Sequence, residues 1–183
     1  LNGGVYNVSA ESLLAWNSNT ILSGTLTGNL SGEIIWTNNV IVPTSTTATF
    51  DFTGDGGVNW FSGSLFGEGT LVNKSLIFLS SENIKSFFGS TTINNEGIFN
   101  ILNGGDLIIS ESVVNNQSSG TIDMQGVEGN ILSFSGASSI LNNFGLIKKT
   151  TDGIARIQTV LNNNGGTITV SSGNLIFDTF AKN

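Results

Sequence analysis

The sequence predicts an all-β fold: a right-handed parallel β-helix (β-solenoid) of roughly eight coils of about 21 residues, with an asparagine ladder. Three observations point there. An Asn-Asn turn recurs at a near-constant spacing, short strands of alternating apolar and polar residues lie between these turns, and the composition disfavours helices.

The recurrence runs through Ile93-Asn94-Asn95-Glu96-Gly97, Val114-Asn115-Asn116 leading to Gly120, Leu141-Asn142-Asn143-Phe144-Gly145 and Leu161-Asn162-Asn163-Asn164-Gly165-Gly166. Val72-Asn73-Lys74-Ser75 is a weaker first member. Counted from Asn73, the first Asn returns after 21, 21, 27 and 20 residues. The long step contains Gly126-Val127-Glu128-Gly129, the expected place of an outward loop. Asn tolerates left-handed turn conformations, and its amide can bond to the same amide one coil above and below. Asn73, Asn94, Asn115, Asn142 and Asn162 are therefore expected to form one structural ladder. The glycine that follows each pair is expected to supply a positive φ that turns the chain into the next strand.

After each turn comes a short alternating strand, in which Ile77 and Leu79, Phe99 and Ile101, Ile122 and Met124, and Ile168 and Val170 face one way. A second glycine then opens another strand, as in Gly105-Asp106-Leu107-Ile108-Ile109 and Gly173-Asn174-Leu175-Ile176-Phe177. A unit this short cannot bury its own apolar face, so neighbouring coils must stack and share a core. Asn2 to Leu14 aligns without a gap on Asn164 to Ile176, which extends the array to both ends. The sequence thus reads as one domain over 1–183, with degenerate coils over 1–66 and regular ones over 67–183, and as a segment of a longer protein. Asn-Gly turns also join antiparallel hairpins in sandwiches and barrels, but hairpins do not explain a regular repeat with Asn at one phase.

Of the 183 residues 38% are hydrophobic, enough for a core, and 10% are charged, well under the usual quarter. Asn, Ser, Thr and Gly fill the polar positions and are poor helix formers. A net charge of −7 and only six Lys and Arg argue against nucleic acid, which needs a basic stripe. With neither Cys nor His, disulfides, zinc sites and imidazole chemistry are excluded. No apolar run approaches the roughly 20 residues that span a bilayer, so no membrane insertion is expected.

Val58-Asn59-Trp60-Phe61-Ser62-Gly63-Ser64-Leu65-Phe66-Gly67-Glu68-Gly69-Thr70-Leu71-Val72-Asn73 resembles the W-x-x-G-x-L-x-G-x-G-T-L-x-N stretch of bacterial cell-surface β-helix repeat proteins of the adhesin and autotransporter-passenger kind. The later Asn-Asn-x-Gly-Thr-Ile units are similar, and the resemblance covers Trp60 to Phe177 well and the first third poorly. It implies an exported, bacterial cell-surface setting and brings no catalytic motif.

Asp51 and Asp55 near Trp60 are the best candidate ligand-binding group. An acidic pair beside an aromatic platform would bind or cleave sugar, or hold Ca²⁺ together with backbone carbonyls. The plainer alternative is two turn-forming Asp residues in a glycine-rich loop. Trp16, Trp36 and Trp60 are either exposed platforms for glycans or, as their spacing fits better, one buried aromatic stack. Lys148, Lys149 and Arg156 make the one basic cluster, either a small anion patch or a solvated loop. Thr25-Leu26-Thr27, Thr47-Ala48-Thr49 and Thr167-Ile168-Thr169 invite an ice-binding reading, but Ile98 with Asn100, Thr121 with Asp123, and Leu146 with Lys148 are expected to break that array. Outward Leu146, Phe78 and Ile98 point instead to a face covered by another segment or a partner.

The expectation is a non-catalytic extracellular solenoid, adhesive or stalk-like, that meets a glycan or a host or neighbouring cell-surface protein. End-to-end or face contacts with flanking domains are expected too. A carbohydrate-active enzyme and an ice-binding protein are the alternatives. No cofactor is implied, with Ca²⁺ at Asp51 and Asp55 the one ion to consider.

Overall fold

The computed structural model describes residues 1–102, 104–133 and 139–178, and among these it contains twenty-four strands and no helix. Three strands make each coil. The first coil is β1 (Asn2–Val5), β2 (Leu13–Trp16) and β3 (Thr20–Ile21), and the second is β4 (Ser23–Asn29), β5 (Glu33–Trp36) and β6 (Val40–Val42). Then come β7 (Thr47–Thr53), β8 (Gly57–Trp60) and β9 (Gly63–Gly67), followed by β10 (Thr70–Asn73), β11 (Leu76–Leu79) and β12 (Lys85–Phe88). The fifth coil is β13 (Thr92–Asn95), β14 (Ile98–Ile101) and β15 (Leu107–Ile109), and the sixth is β16 (Val113–Asn116), β17 (Thr121–Met124) and β18 (Asn130–Ser133). The last two are β19 (Ile140–Asn143), β20 (Leu146–Lys149) and β21 (Ile154–Gln158), then β22 (Val160–Asn163), β23 (Thr167–Val170) and β24 (Asn174–Phe177).

Each strand pairs with its counterparts in the adjoining coils, giving three eight-stranded sheets, one per side of the solenoid. The pairings are parallel throughout, which rules out the hairpin arrangement. At a strand spacing of ~4.8 Å, eight coils make a rod of about 38 Å.

Period-two alternation decides what lies inside. On the first sheet Ala48, Leu71, Ile93, Val114 and Leu141 stack in one interior column. On the second, Trp16, Trp36, Trp60, Leu79, Ile101 and Met124 do the same. Each of the larger aliphatic side chains here contributes about 1.5–3 kcal/mol on burial, and only the stacking of coils makes that burial available.

The asparagines form two ladders, not one. Register pairs Asn73 with Asn95 and Val72 with Asn94, so Asn73 stands one residue out of the column expected for it. The inner ladder runs Asn73, Asn95, Asn116, Asn143, Asn163, each Nδ2 donating to the next Oδ1 at 2.7–2.8 Å. The outer ladder runs Asn94, Asn115, Asn142, Asn162 with the donors reversed: each Nδ2 reaches back to the preceding Oδ1 at 2.8–2.9 Å.

Of the glycines after the pairs, Gly165 has the expected positive φ, at 82°, but the others act differently from expectation: Gly97, Gly120, Gly145 and Gly166 are not among the positive-φ residues. A Cβ at any of them would overlap the preceding coil: the Ser75 carbonyl oxygen at Gly97, Asn95 at Gly120, Gln117 at Gly145, and the Asn143 amide at Gly166. Close stacking of coils at this corner, not left-handed backbone, requires them.

The long step from Asn116 to Asn143 spans 27 residues. Its excess falls mainly in the turn 117–120 and between Ser133 and Ile140, where residues 134–138 lie outside the described set. At Gly126 to Gly129 the register gains one residue, since Ile101 to Leu107 is six steps and Met124 to Ile131 is seven.

The two end segments that align in sequence occupy different sides. Val5 is in the first sheet whereas its aligned residue Thr167 is in the second. Likewise Leu13 and Leu14 are in the second sheet and their aligned residues Leu175 and Ile176 in the third.

Candidate functional surface

The expected ligand group does not assemble. Trp60 is 1% exposed, and its ring stacks on Trp36 with centroids 4.3 Å apart and planes 4° from parallel. Its indole Nε1 donates to the Ser62 carbonyl at 3.1 Å, so even its polar edge is taken. Asp51 lies on the exposed side of β7 and Asp55 in the exposed turn that follows, separated from Trp60 by the sheet itself. The three tryptophans are interior, Trp16 packing on Phe50 at 5.9 Å and Trp60 on Phe87 at 5.3 Å. Among the described residues, no group of three or more Asp and Glu converges as metal ligands do.

The basic cluster also divides. Lys148 faces outward and meets Asp123 at 3.0 Å, whereas Lys149 takes the interior position in register with Met124. The Lys149 ammonium donates to the Thr151 carbonyl, to Thr151 Oγ1 at 2.9 Å and to the Asp152 carbonyl at 3.1 Å. Burial holds its pKa below the usual lysine value, against the pull of Asp152 and Asp123. Arg156 pairs with Asp178 at 2.9 Å.

Sequence reasoning missed Lys85, which is fully buried. Its ammonium donates to the Ser81 and Asn83 carbonyls, both at 2.7 Å, and burial lowers its pKa from 10.5 to about 8, with Asp106 pulling the other way. Lys85 and Lys149 sit at the same corner, between the second and third sheets, where each threads an apolar stem through the core and closes a turn with its head. The Ser-rich turn before Lys85 was the available signal, but a lone lysine in a loop ordinarily reads as solvated.

Three outward faces remain. On the first sheet two ranks run side by side: Thr47, Thr70, Thr92, Val113, Ile140 and Val160 in one, and Thr25, Thr49, Val72, Asn94, Asn115, Asn142 and Asn162 in the other. Neither contains a charge. The Thr pairs considered for ice therefore separate, because Thr167 and Thr169 belong to the second sheet. The residues expected to break their array, Ile98 with Asn100, Thr121 with Asp123 and Leu146 with Lys148, are likewise on the second sheet and do not interrupt the first.

On that second sheet Ile98 is 40% exposed, while Phe78 and Leu146 are half-buried beside their neighbours. The third sheet carries an outward apolar column of Ile21, Ile41, Phe66 and Phe88. Farther along it, an open groove is lined by Glu82, Asp106, Glu128 and Asn130, with Asp106 Oδ1 already accepting from the Asn130 backbone and side chain at 3.0 and 2.9 Å. No helix among the described residues is long and apolar enough to cross a membrane.

No protein-family model matches this chain, and neither a curated protein nor a solved structure does.

Proposed function

We propose that the chain is a non-catalytic solenoid of a bacterial surface protein, working outside the cell as an adhesive or structural stalk that presents a glycan- or protein-binding face. The observation that carries this reading is the pair of uncharged outward ranks on the first sheet, which repeat one shallow pattern of methyl, hydroxyl and amide groups along the rod. The middle members of the outer ladder, Asn115 and Asn142, each spend one N–H and one lone pair on their neighbours and keep the others for a ligand. Single contacts of this kind are weak, and their repetition on a rigid support raises effective concentration for the next. In support, Asp51, Asp55 and Trp60 make no common cleft of the kind a sugar-cleaving enzyme needs.

A glycan array and a cell-binding assay with the isolated chain test it. Retention without turnover on a polysaccharide panel, reduced by Asn115→Lys on the first sheet and kept by Asn100→Lys on the second, is the expected result. Turnover, or binding indifferent to Asn115→Lys, contradicts it. The Thr47, Thr70, Thr92 rank favours one second reading, binding to ice, which shaping of ice crystals by the chain would reveal.

A further inference from the structure

We propose that the outer amide rank of the first sheet binds the face of an assembled, uncharged polymer of N-acetylated amino sugars, its chains laid across the rod one to a coil. The inference rests on the first sheet being the binding face and names the chemistry that this face takes.

Asn94, Asn115, Asn142 and Asn162 are bonded in one direction, each Nδ2 donating to the Oδ1 of the preceding coil at 2.8–2.9 Å. A primary amide carries two N–H bonds. The one antiparallel to the C=O makes the ladder, and planar amide geometry then sends the other away from Cβ, off the face of the sheet. On the inner ladder that second N–H is taken by a backbone carbonyl, Thr121 for Asn95 and Leu146 for Asn116. On the outer ladder Asn115 and Asn142 each donate once, to the neighbouring amide, and among the described residues their second N–H has no acceptor. The rod thus carries a rank of outward donors that repeats every ~4.8 Å.

A rank of donors calls for acceptors at the same spacing. Amides joined by N–H···O=C bonds repeat at about 4.8 Å whatever backbone carries them. Sugar chains whose acetamido groups bond to one another side by side therefore match the rod coil for coil. Each of their carbonyls keeps a second lone pair for an Asn N–H. A sugar bearing hydroxyls alone lacks the amide that sets this repeat.

The neighbouring positions suit the rest of such a chain. Two residues before each amide, about 6.6 Å along the strand, Thr92, Val113, Ile140 and Val160 present methyl groups, against which acetyl methyls and ring C–H bonds pack. Two residues after Asn142, in the turn that bounds the rank, Phe144 is 41% exposed and offers an aromatic face to a pyranose ring. With no Asp, Glu, Lys or Arg in either rank, a charged polymer would lose hydration there and find no counter-charge. Lys74 and Glu96 sit in the turn beyond the rank and face each other at 4.0 Å.

Depletion of the 183-residue chain from solution by chitin particles, compared with cellulose, tests the assignment. The two polymers share ring and linkage and differ in carrying acetamido or hydroxyl groups. Chitin should be bound at least about tenfold more tightly, because weak contacts add along the rod. Short soluble chains of the same sugar should compete poorly, because each meets a single coil. Asn115→Val with Asn142→Val removes the outward donors and places there the residue that the same column already carries as Val72. It should weaken chitin binding about tenfold or more with an unchanged circular dichroism spectrum, whereas Asn100→Val on the second sheet should bind as the unmodified chain does. Equal retention on chitin and cellulose, lost on both in the double variant, would overturn the acetamido assignment and leave the first sheet as a binding face. Chitin retention untouched by the double variant would overturn it as well. So would no retention on chitin, and a glycan-array signal sensitive to Asn115→Lys then separates this failure from failure of the face itself.

Discussion

Replacing Asn116 by Ala should destabilise the solenoid far more than the same change at Asn115, although the two are adjacent. Asn116 is fully buried, donates from Nδ2 to Asn143 Oδ1 at 2.8 Å and to the Leu146 carbonyl at 3.1 Å, and accepts from Asn95 Nδ2 at 2.8 Å. Its removal leaves an amide N–H of Asn95 and the Oδ1 of Asn143 without partners in a place water does not reach. At about 1–3 kcal/mol for each buried group left unmet, plus the space vacated, the loss comes to about 3–5 kcal/mol. Asn115 makes bonds of the same length on the outer ladder, but it is half-buried and water replaces them. Its change should cost less than about 1 kcal/mol. Urea unfolding followed by far-ultraviolet circular dichroism compares the two, and amide exchange locates the effect, since adjoining coils unfold as coupled neighbours. Equal losses at the two positions would refute the distinction between an interior and an exterior ladder.

Lys85 gives a pH-dependent comparison. Its pKa of about 8 in the folded chain lies below the 10.5 of an ordinary lysine, so between these values the unfolded chain binds more protons. The penalty of burying its charge is therefore complete below pH 8 and is relieved as pH rises toward 10.5. The stability of the unmodified protein relative to Lys85→Met should increase over that window, as read from urea midpoints at the two ends; a constant difference would show that Lys85 is not desolvated. A glycine pair separates two kinds of constraint. Gly145→Ala, which drives a Cβ into the Gln117 and Gly120 carbonyl oxygens, should cost more than about 3 kcal/mol, whereas Gly165→Ala meets nothing within 4 Å and pays about 1 kcal/mol for its φ of 82°. Melting temperatures in the reverse order would remove close coil stacking as the reason for the repeated glycine.

Much of this architecture was legible because solenoids write their geometry as period. The interior residues Ile77, Leu79, Phe99, Ile101, Ile122 and Met124 follow from alternation, and parallel stacking follows from Asn at a repeated phase. What escaped depends on phase to within one residue. An Asn doublet looks the same in either register, and only pairing of Thr70 with Thr92 shows that Asn73 belongs with Asn95. Before residue 67 the ladder is absent: the inner column holds Leu26 and Phe50 instead, and β4 and β7 extend to seven residues, so turn signals lose their spacing. The spacing of Trp16, Trp36 and Trp60 placed them inside, as observed, but grouping Trp60 with Asp51 and Asp55 as a ligand platform failed because an aromatic near two Asp residues carries no mark of which side of the strand it faces. Lys85 and Lys149 were hidden for the same reason.

The reversal of the two ladders explains how they divide the work. The inner amides of Asn95, Asn116 and Asn143 are fixed in direction because their second N–H must meet a backbone carbonyl in the next coil, that of Thr121, Leu146 and Thr167 in turn. A carbonyl only accepts, so the amide cannot rotate without losing a buried bond. This ties each coil to the register of the next, with Leu71, Ile93, Val114 and Leu141 held two residues earlier in the interior. A slip of one residue would break the inner chain and expose that apolar column together. Outer amides carry no such backbone bond and are aligned because the interior is. The evenness of the outward ranks is thus a consequence of buried hydrogen bonding, and a substitution at Asn95 or Asn116 should disorder a face it never touches.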